Sequence, residues 1–491
     1  MPTERPNVVL IYADDLGFGD VECFDDRCKI PTPNINALAD GGMRFTNAHA
    51  PDTICSPSRY GILTGRYSWR TSRKVGNPAP GEQPWIDADR LTLPKMLKEC
   101  GYDTAALGKW GLGSDWENAA RPGRDGLDIS PGAVDYGKPI HSGRCVGFSY
   151  DAVHLWYGRD YQETEYPCGM KDGALEKTDG GRWYFENGMS RGGDPDFEAF
   201  DMEEAQMHYI RRAVDYIDAQ GGRTENPEYN ITEDSPFFLY YAPHIPHWPH
   251  VPAPQFQGTT DLGFYGDFVA ELDWAVGQIT DALERNGMLD ETMVIFTSDN
   301  GPERQCYGYV RDHDHYSMGE WRGIKRDLWE GGHRTPFVMS WPGRTRPGTT
   351  SERLVCQTDI FATLADYLGY GLPHDGAEDS FSFLDEVVED HSVKTRRDLA
   401  LYHSCNNKMA IRHGDWVYVD HPSGDNGNQE PQWFREMRGV EPHQEDCELF
   451  NLAEDPQECD NLAAETPAKT AEMKKRLEAT KEDGRTAPAR R

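Results

Sequence analysis

Asn7-Val-Val-Leu-Ile-Tyr12, followed at once by Ala13-Asp14-Asp15, reads as a short strand that ends on two adjacent carboxylates. A continuous apolar run of this length suits a strand buried on both faces, as in a parallel sheet covered by helices. The pattern recurs along the chain. Thr104–Leu107 runs into Gly108-Lys109-Trp110, Phe237–Tyr241 into His244 and His247, and Met293–Thr297 into Ser298-Asp299-Asn300-Gly301. Phe337–Trp341 is a fifth run and is read with the others as parallel. Between them, Phe268, Leu272, Ala275, Val276, Ile279 and Leu283 recur three or four apart and stop at Gly287, which predicts an amphipathic helix with a glycine past its end. Strands alternating with helices predict an α/β fold, a large doubly wound parallel or mixed sheet flanked by helices. In such a sheet the residues after each strand gather at one carboxyl edge.

The rest of the chain fits that core. It has 491 residues, 37% hydrophobic and 11% aromatic, enough to bury a large interior. The stretch Ser114–Pro195 is rich in Gly, Asp and aromatics without periodicity and predicts long loops over the sheet edge. From about residue 396 the pattern changes to a strand-like Asp415–Val419, a Gly/Asn/Pro-rich region and a last helix with Thr466 as its cap and Pro467 in its first turn. The expected division is therefore a large α/β domain over 1–395 and a smaller α+β domain over 396–491, a short antiparallel sheet plus a helix.

With 83 acidic and 50 basic residues the formal charge is −33, which repels nucleic acid and anionic membrane. It also suits a saline, marine setting, where salt screens the repulsion. No apolar run reaches the length of a membrane span, and the start leaves no room for a signal segment, so the chain as it stands reads as cytoplasmic, or as periplasmic or secreted if a leader has been removed. Eleven cysteines without paired spacing argue against both structural zinc and a disulfide framework.

Asp14, Asp15, Asp299 and Asn300 are hard oxygen ligands, suited to Ca²⁺ or Mg²⁺. The sharpest signal is Cys55-Ser-Pro-Ser-Arg59-Tyr-Gly-Ile-Leu-Thr-Gly-Arg66. This segment closely resembles the signature of the formylglycine-dependent sulfatases of the alkaline phosphatase superfamily. Further blocks resemble that family in the same order: Asn7–Gly19, Gly108–Gly113, Phe237–Pro249, Ser298–Pro302, Lys325–Pro336 and Leu449–Leu462. The resemblance implies a bacterial hydrolase acting on sulfate esters, with Cys55 oxidised to formylglycine by a maturation enzyme. It further implies one Ca²⁺ held by Asp14, Asp15, Asp299 and Asn300 with modified Cys55 beside it, and a sulfate held by Arg59, Lys109 and Lys325. A hydrated aldehyde suits this reaction because its second hydroxyl, once deprotonated, expels sulfate and regenerates the carbonyl, whereas a plain alcohol would remain esterified. His247 is the candidate general acid and His244 its rival. The family block Gly-Lys-Trp-His-Leu-Gly reads Gly108-Lys109-Trp110-Gly111-Leu112-Gly113 here, so an imidazole is missing. His244, Asp299 and water stand as alternatives for its work, and Gly111→His is expected to be tolerated structurally.

The expected substrate is a sulfated carbohydrate derived from a polysaccharide, with Arg70, His154, Trp248 and Arg322 as candidate contacts beside Trp69, Trp156 and Tyr157. Glu330 and Arg334 are open between an ion pair and a substrate contact. Two other functions fit the same motifs: a formylglycine-dependent phosphonate or phosphate ester hydrolase, and a catalytically weak protein that binds sulfated glycans.

Overall fold

The computed structural model describes residues 5–78, 83–115, 143–154, 202–388, 391–393, 395–427 and 429–488, with short backbone ladders between 121 and 190. Its centre is strand β1 (Asn7–Ala13), in which every residue is buried. The strands of the large sheet are, in chain order, β1, β2 (Met43–Phe45), β3 (Asp103–Lys109), β4 (Tyr150–His154), β5 (Phe185–Glu186), β6 (Met189–Ser190), β7 (Phe237–Ala242), β8 (Thr292–Ser298), β9 (Phe337–Ser340) and β10 (Thr349–Ser351). They form one ten-stranded sheet in the order β6-β5-β4-β3-β7-β1-β8-β9-β2-β10. The core β4-β3-β7-β1-β8 is parallel, with Val8 opposite both Phe238 and Met293. Strand β9 corrects the sequence reading: it pairs antiparallel with β8, Val294 opposite Ser340. A run buried on both faces carries no signature of direction, so hydropathy alone does not distinguish the two pairings.

Alternation along β1 divides the interior. Val8, Leu10 and Tyr12 face a layer containing α2 (Cys55–Thr64), α3 (Leu93–Glu99) and α6 (Asp359–Leu368). Val9, Ile11 and Ala13 face α1 (Pro33–Asp40), α4 (Met202–Gln220) and α5 (Gly263–Arg285). The apolar stripe predicted for α5 is buried, and Gly287, with φ +70°, follows its capping residue Asn286. Each fully buried aliphatic side chain in these layers contributes roughly 1.5–3 kcal/mol.

A second sheet, antiparallel, is formed by β11 (Leu399–His403), β12 (Met409–His413), β13 (Trp416–Val419) and β14 (Glu448–Asn451) in sequential order. One face packs on Tyr67, Trp69 and the final helix α7 (Pro467–Glu482) through Met473 and Leu477. The other packs on Leu328 and Trp329, so this sheet backs the loop that carries Lys325. Thr466 occupies the capping position of α7, yet its hydroxyl donates to the Leu462 carbonyl instead of capping the helix. All described cysteines are free thiols. Among the described residues no helix is long and apolar enough to cross a membrane.

Candidate active site

The carboxyl edge of the parallel strands brings six separate chain segments together. At the end of β1, Asp14 N–H donates to the Ile245 carbonyl (2.9 Å), and Asp15 turns into the left-handed region at φ +66°. Its N–H donates to Asp299 Oδ1 at 3.2 Å, while Asp299 N–H donates to the Ala13 carbonyl at 3.1 Å. Each offers an oxygen, and the oxygens of Asp14, Asp15 and Asp299 lie within 4.8 Å of one another, all buried. Asn300 Nδ2 donates to Asp15 Oδ1 (2.8 Å) and to the Gly301 carbonyl (2.8 Å). Its Oδ1 and Asp14 Oδ1 are buried oxygens that accept no hydrogen bond. Buried acceptors without donors are costly, and two of them beside three carboxylates fit a hard divalent cation.

Three cations surround these carboxylates. Lys109 Nζ, at the end of β3, is 2.6 Å from Asp14 Oδ2. Lys325 Nζ is 2.7 Å from Asp15. Arg59, fully buried on α2, donates to Asp299 Oδ2 at 2.7 Å and lies 3.6 Å from Asp14 Oδ1. Its other nitrogen donates to the Lys109 carbonyl at 3.2 Å. Burial would raise the Asp14 carboxyl, but Lys109, His247 and His244 outweigh it and hold the group well below its ordinary range. Asp299 is pushed the other way, to about 7, by burial and by the charge of Asp14. Asp15 is also raised, by burial, against the pull of Lys325. Thus the cluster favours a proton near neutral pH, and a divalent cation would take that proton's place.

Cys55 opens α2 and is 2% exposed. Its Sγ, an Asp14 oxygen and a His247 ring nitrogen all lie within 4.8 Å of one another. His247 Nδ1 meets the Trp248 carbonyl at 2.5 Å, an acceptor only, so Nδ1 carries the hydrogen and Nε2, 3.8 Å from Asp15 Oδ2, is the free nitrogen facing the carboxylates. His244 Nδ1 is 3.2 Å from Asp14 Oδ2, and the two imidazoles stand 4.7 Å apart. Burial lowers His244 to about 4 despite the Asp14 hydrogen bond. Burial, reinforced by Lys109 and Lys325, also drives His247 well down. Both rings are neutral at pH 7.

The loop after β8 and the loop that carries Lys325 meet backbone to backbone. Lys325 N–H donates to the Pro302 carbonyl (2.9 Å), and Gly301 N–H to the Gly332 carbonyl (2.9 Å). A Cβ on Gly301 would lie 1.9 Å from the Gly331 carbonyl oxygen, and one on Gly331 would lie 2.3 Å from that of Gly323. Only glycine permits this approach. At Gly111, φ is +69° and a Cβ would stand 3.1 Å from Ser56 Oγ, beside Cys55. The position therefore belongs to the site, and its left-handed backbone adds a strain cost to Gly111→His, which is expected to be tolerated structurally.

Other sequence candidates are placed elsewhere. Arg70 makes a bidentate pair with Asp379 (2.8 and 2.9 Å) and donates to the Asp483 carbonyl. Arg322 pairs with Glu430 (2.9 and 2.8 Å), donates to the Glu458 carbonyl and stacks 3.6 Å from the Trp329 ring centre. Both are held by carboxylates outside the Asp14-Asp15-Asp299 cluster. Trp248 is half-buried and enters the site through its carbonyl. The His154 side chain, Trp156, Tyr157 and most of Ser114–Pro195 lie outside the described residues. Glu330 and Arg334 form a buried pair (2.7 Å), with Arg412 3.4 Å from the same carboxylate.

Two features of the site were not visible in the sequence. Glu303, three residues after Asn300, pairs with Arg326 at 2.8 and 2.6 Å. Burial would raise Glu303, yet hydrogen bonds from Arg326 and the charge of Lys325 bring it down to about 2. Asp52, just before the Cys55 helix, meets His403 Nδ1 of the small sheet at 2.9 Å. The only local hint of the first was an acidic residue close behind the Asp299-Asn300 pair.

A mixed sheet with carboxylates, lysines and imidazoles at its carboxyl edge is an α/β arrangement suited to metal-assisted hydrolysis. Comparison with known proteins narrows it. A family model described as Sulfatase matches residues 6–370. An N-acetylgalactosamine-6-O-sulfatase of Bacteroides thetaiotaomicron is 33% identical, covering 98% of this chain and 94% of that protein. Human arylsulfatase A is 33% identical over 75% of this chain and 65% of its own length. A solved structure described under metabolism of multiple glycosaminoglycans by Bacteroides thetaiotaomicron superposes with a TM-score of 0.77 at 28% identity, covering 98% of this chain and all of that one. The chain belongs to the sulfatase family and is a sulfuric ester hydrolase.

Proposed function

We propose that the enzyme removes sulfate from a sulfated carbohydrate, with Cys55 in its formylglycine form as nucleophile and Ca²⁺ among Asp14, Asp15, Asp299 and Asn300. The observation that carries this reading is the convergence of Cys55, His247 and the Asp14-Asp15-Asp299 cluster within one buried pocket flanked by Lys109 and Lys325. The two buried acceptor oxygens of Asp14 and Asn300 support the metal. When present, the aldehyde hydrate supplies an oxygen nucleophile with a second hydroxyl for release of sulfate, and the cation supplies Lewis-acid charge.

The chain's own residues do the remaining work. Arg59, Lys109 and Lys325 concentrate positive charge for a sulfate in a protein of net charge −33. His247 is held by the Trp248 carbonyl so that Nε2 faces the reacting region, where it serves the leaving alkoxide as general acid. With its pKa lowered, the neutral ring must first take a proton on Nε2 to act in this way, and the negative charge of a bound sulfate ester would favour that proton. His244, whose Nδ1 lies 3.2 Å from Asp14 Oδ2, is a second imidazole in the site that could do the work of the one absent at Gly111. The similarity to an N-acetylgalactosamine-6-O-sulfatase makes a 6-sulfated N-acetylhexosamine the first substrate to try. A formylglycine-generating enzyme is the implied maturation partner.

The test is sulfate release, by ion chromatography, from defined sulfated mono- and oligosaccharides, with phosphate and phosphonate esters alongside, using protein co-expressed with a maturation enzyme. Release from a sulfated sugar, lost in Cys55→Ala and accompanied by the mass of formylglycine in the Cys55 peptide, is the expected result. Faster turnover of phosphate or phosphonate esters than of any sulfate ester would overturn it in favour of the phosphoester reading. Tight glycan binding without release from matured protein would favour a binding role.

A further inference from the structure

Arg326 is a non-glycine residue held at φ +82°, directly after Lys325 in a loop that uses glycine freely at 323, 331 and 332. Such a conformation persists where its surroundings over-determine it. Here three contacts do so. The Arg326 N–H donates to the Thr53 carbonyl at 2.8 Å, two residues before Cys55. Its guanidinium donates to both oxygens of Glu303, at 2.8 and 2.6 Å, three residues after Asn300. Lys325 itself is tied to the same loop through Pro302. Arginine's planar fork suits this two-point grip, which lysine does not reproduce.

We infer that Arg326 is a positioning residue: it latches the Lys325 loop to the segment that presents Cys55 and to the loop that presents Asp299 and Asn300, and so fixes where the Lys325 ammonium meets the sulfate. The latch does not touch substrate. Its partner Glu303 is 18% exposed and Arg326 29% exposed at the side chain, so the pair lies nearer the surface than the fully buried carboxylates it helps to position. The inference rests on the proposed sulfate-binding role of Lys325.

The test uses the full matured chain, with inorganic sulfate as probe both for inhibition of turnover and for sulfate-dependent protection against thermal unfolding. Arg326→Gly is the informative variant, because glycine accepts φ +82° without strain, which offsets part of the cost of leaving Glu303 unpaired, so the fold should persist with a lowered melting temperature. The expected result is an approximately tenfold weaker grip on sulfate and a comparable rise in KM, with kcat changed much less. Glu303→Gln should match it, Arg326→Gly/Glu303→Gln should be no worse than the worse single variant, and Arg326→Lys should recover only part of the loss. Unchanged sulfate affinity and KM in Arg326→Gly, or additive losses in the double variant, would overturn the latch. Lys325→Ala separates the two readings. If it leaves the response to sulfate unchanged, the role of Lys325 itself falls; if it weakens that response while Arg326→Gly does not, only the latch falls.

Discussion

Gly111 stands where the site departs from the family block, and its backbone makes a specific prediction. Histidine tolerates the left-handed region better than most residues, so Gly111→His should fold, at a cost of about 1–2 kcal/mol. For a chain of this size that is a fall of about 1–2 °C in Tm, measurable by calorimetry. The new Cβ would stand beside Ser56 and Arg59, so a rise in kcat in the same variant would show that His244 serves only as a substitute. Asp14 and Asn300 lead to a second prediction, about the metal. Their buried oxygens should make Ca²⁺ stabilising: at a hundredfold excess over Kd the gain is about 2.7 kcal/mol, and a chelator should remove it. Asp299→Asn should weaken that Ca²⁺ response and also strand Arg59, which donates to the same carboxylate. At this scale the sequence was most legible for residues with one chemical use. Asp14, Asp299 and Lys109 follow buried strands, and little besides a site calls for them there. The ion pairs of Arg70 and Arg322 were not legible, because a cation near aromatics looks the same whether it faces a sugar or a carboxylate; their partners Asp379 and Glu430 lie far along the chain.

The decisive element is the loop from Gly323 to His333. It packs so closely on Gly301 and on itself that a methyl group has no room, and Gly331→Ala should force the backbone apart. We expect a loss above about 3 kcal/mol, seen as a lower midpoint in denaturant, with KM raised in whatever protein folds because Lys325 moves with the loop. The elements themselves were readable from hydropathy and spacing, and α5 and β1 match the pattern closely. The direction of β9 was not, because both faces of that strand are buried in either orientation. Nor was the failed cap of α7, where the Thr466 hydroxyl has the carbonyl of Leu462 as a competing partner.

Over the whole molecule, acid should act earlier than the carboxylates alone would dictate. Burial lowers His244, His250 and His333 to about 4 each, so the folded protein holds them neutral. In the unfolded chain the same rings take a proton near pH 6.5. Their contribution to stability is thus fully present above about pH 6.5 and is lost progressively as pH falls towards 4, because the unfolded state binds more protons. Denaturant unfolding across that range should show a falling free energy, and His333→Gln, whose ring meets His49 and the Leu328 carbonyl, should flatten the slope. The excess of acidic residues was plain from composition, but which imidazoles are sealed from water depends on packing between distant segments. His333, for instance, lies 3.5 Å from the ring of Tyr402 in the small sheet.

The almost complete enclosure of Cys55 also sets a clock. Lys325, which helps close the pocket, leaves the ribosome 270 residues after Cys55. At ordinary synthesis rates of about 5–20 residues per second, the thiol is reachable for roughly 15–50 s before the chain that buries it exists. If Cys55 is oxidised as proposed, the enzyme that does so would compete with translation, and slowing the ribosome between these two codons should then raise the fraction of molecules that emerge able to turn over.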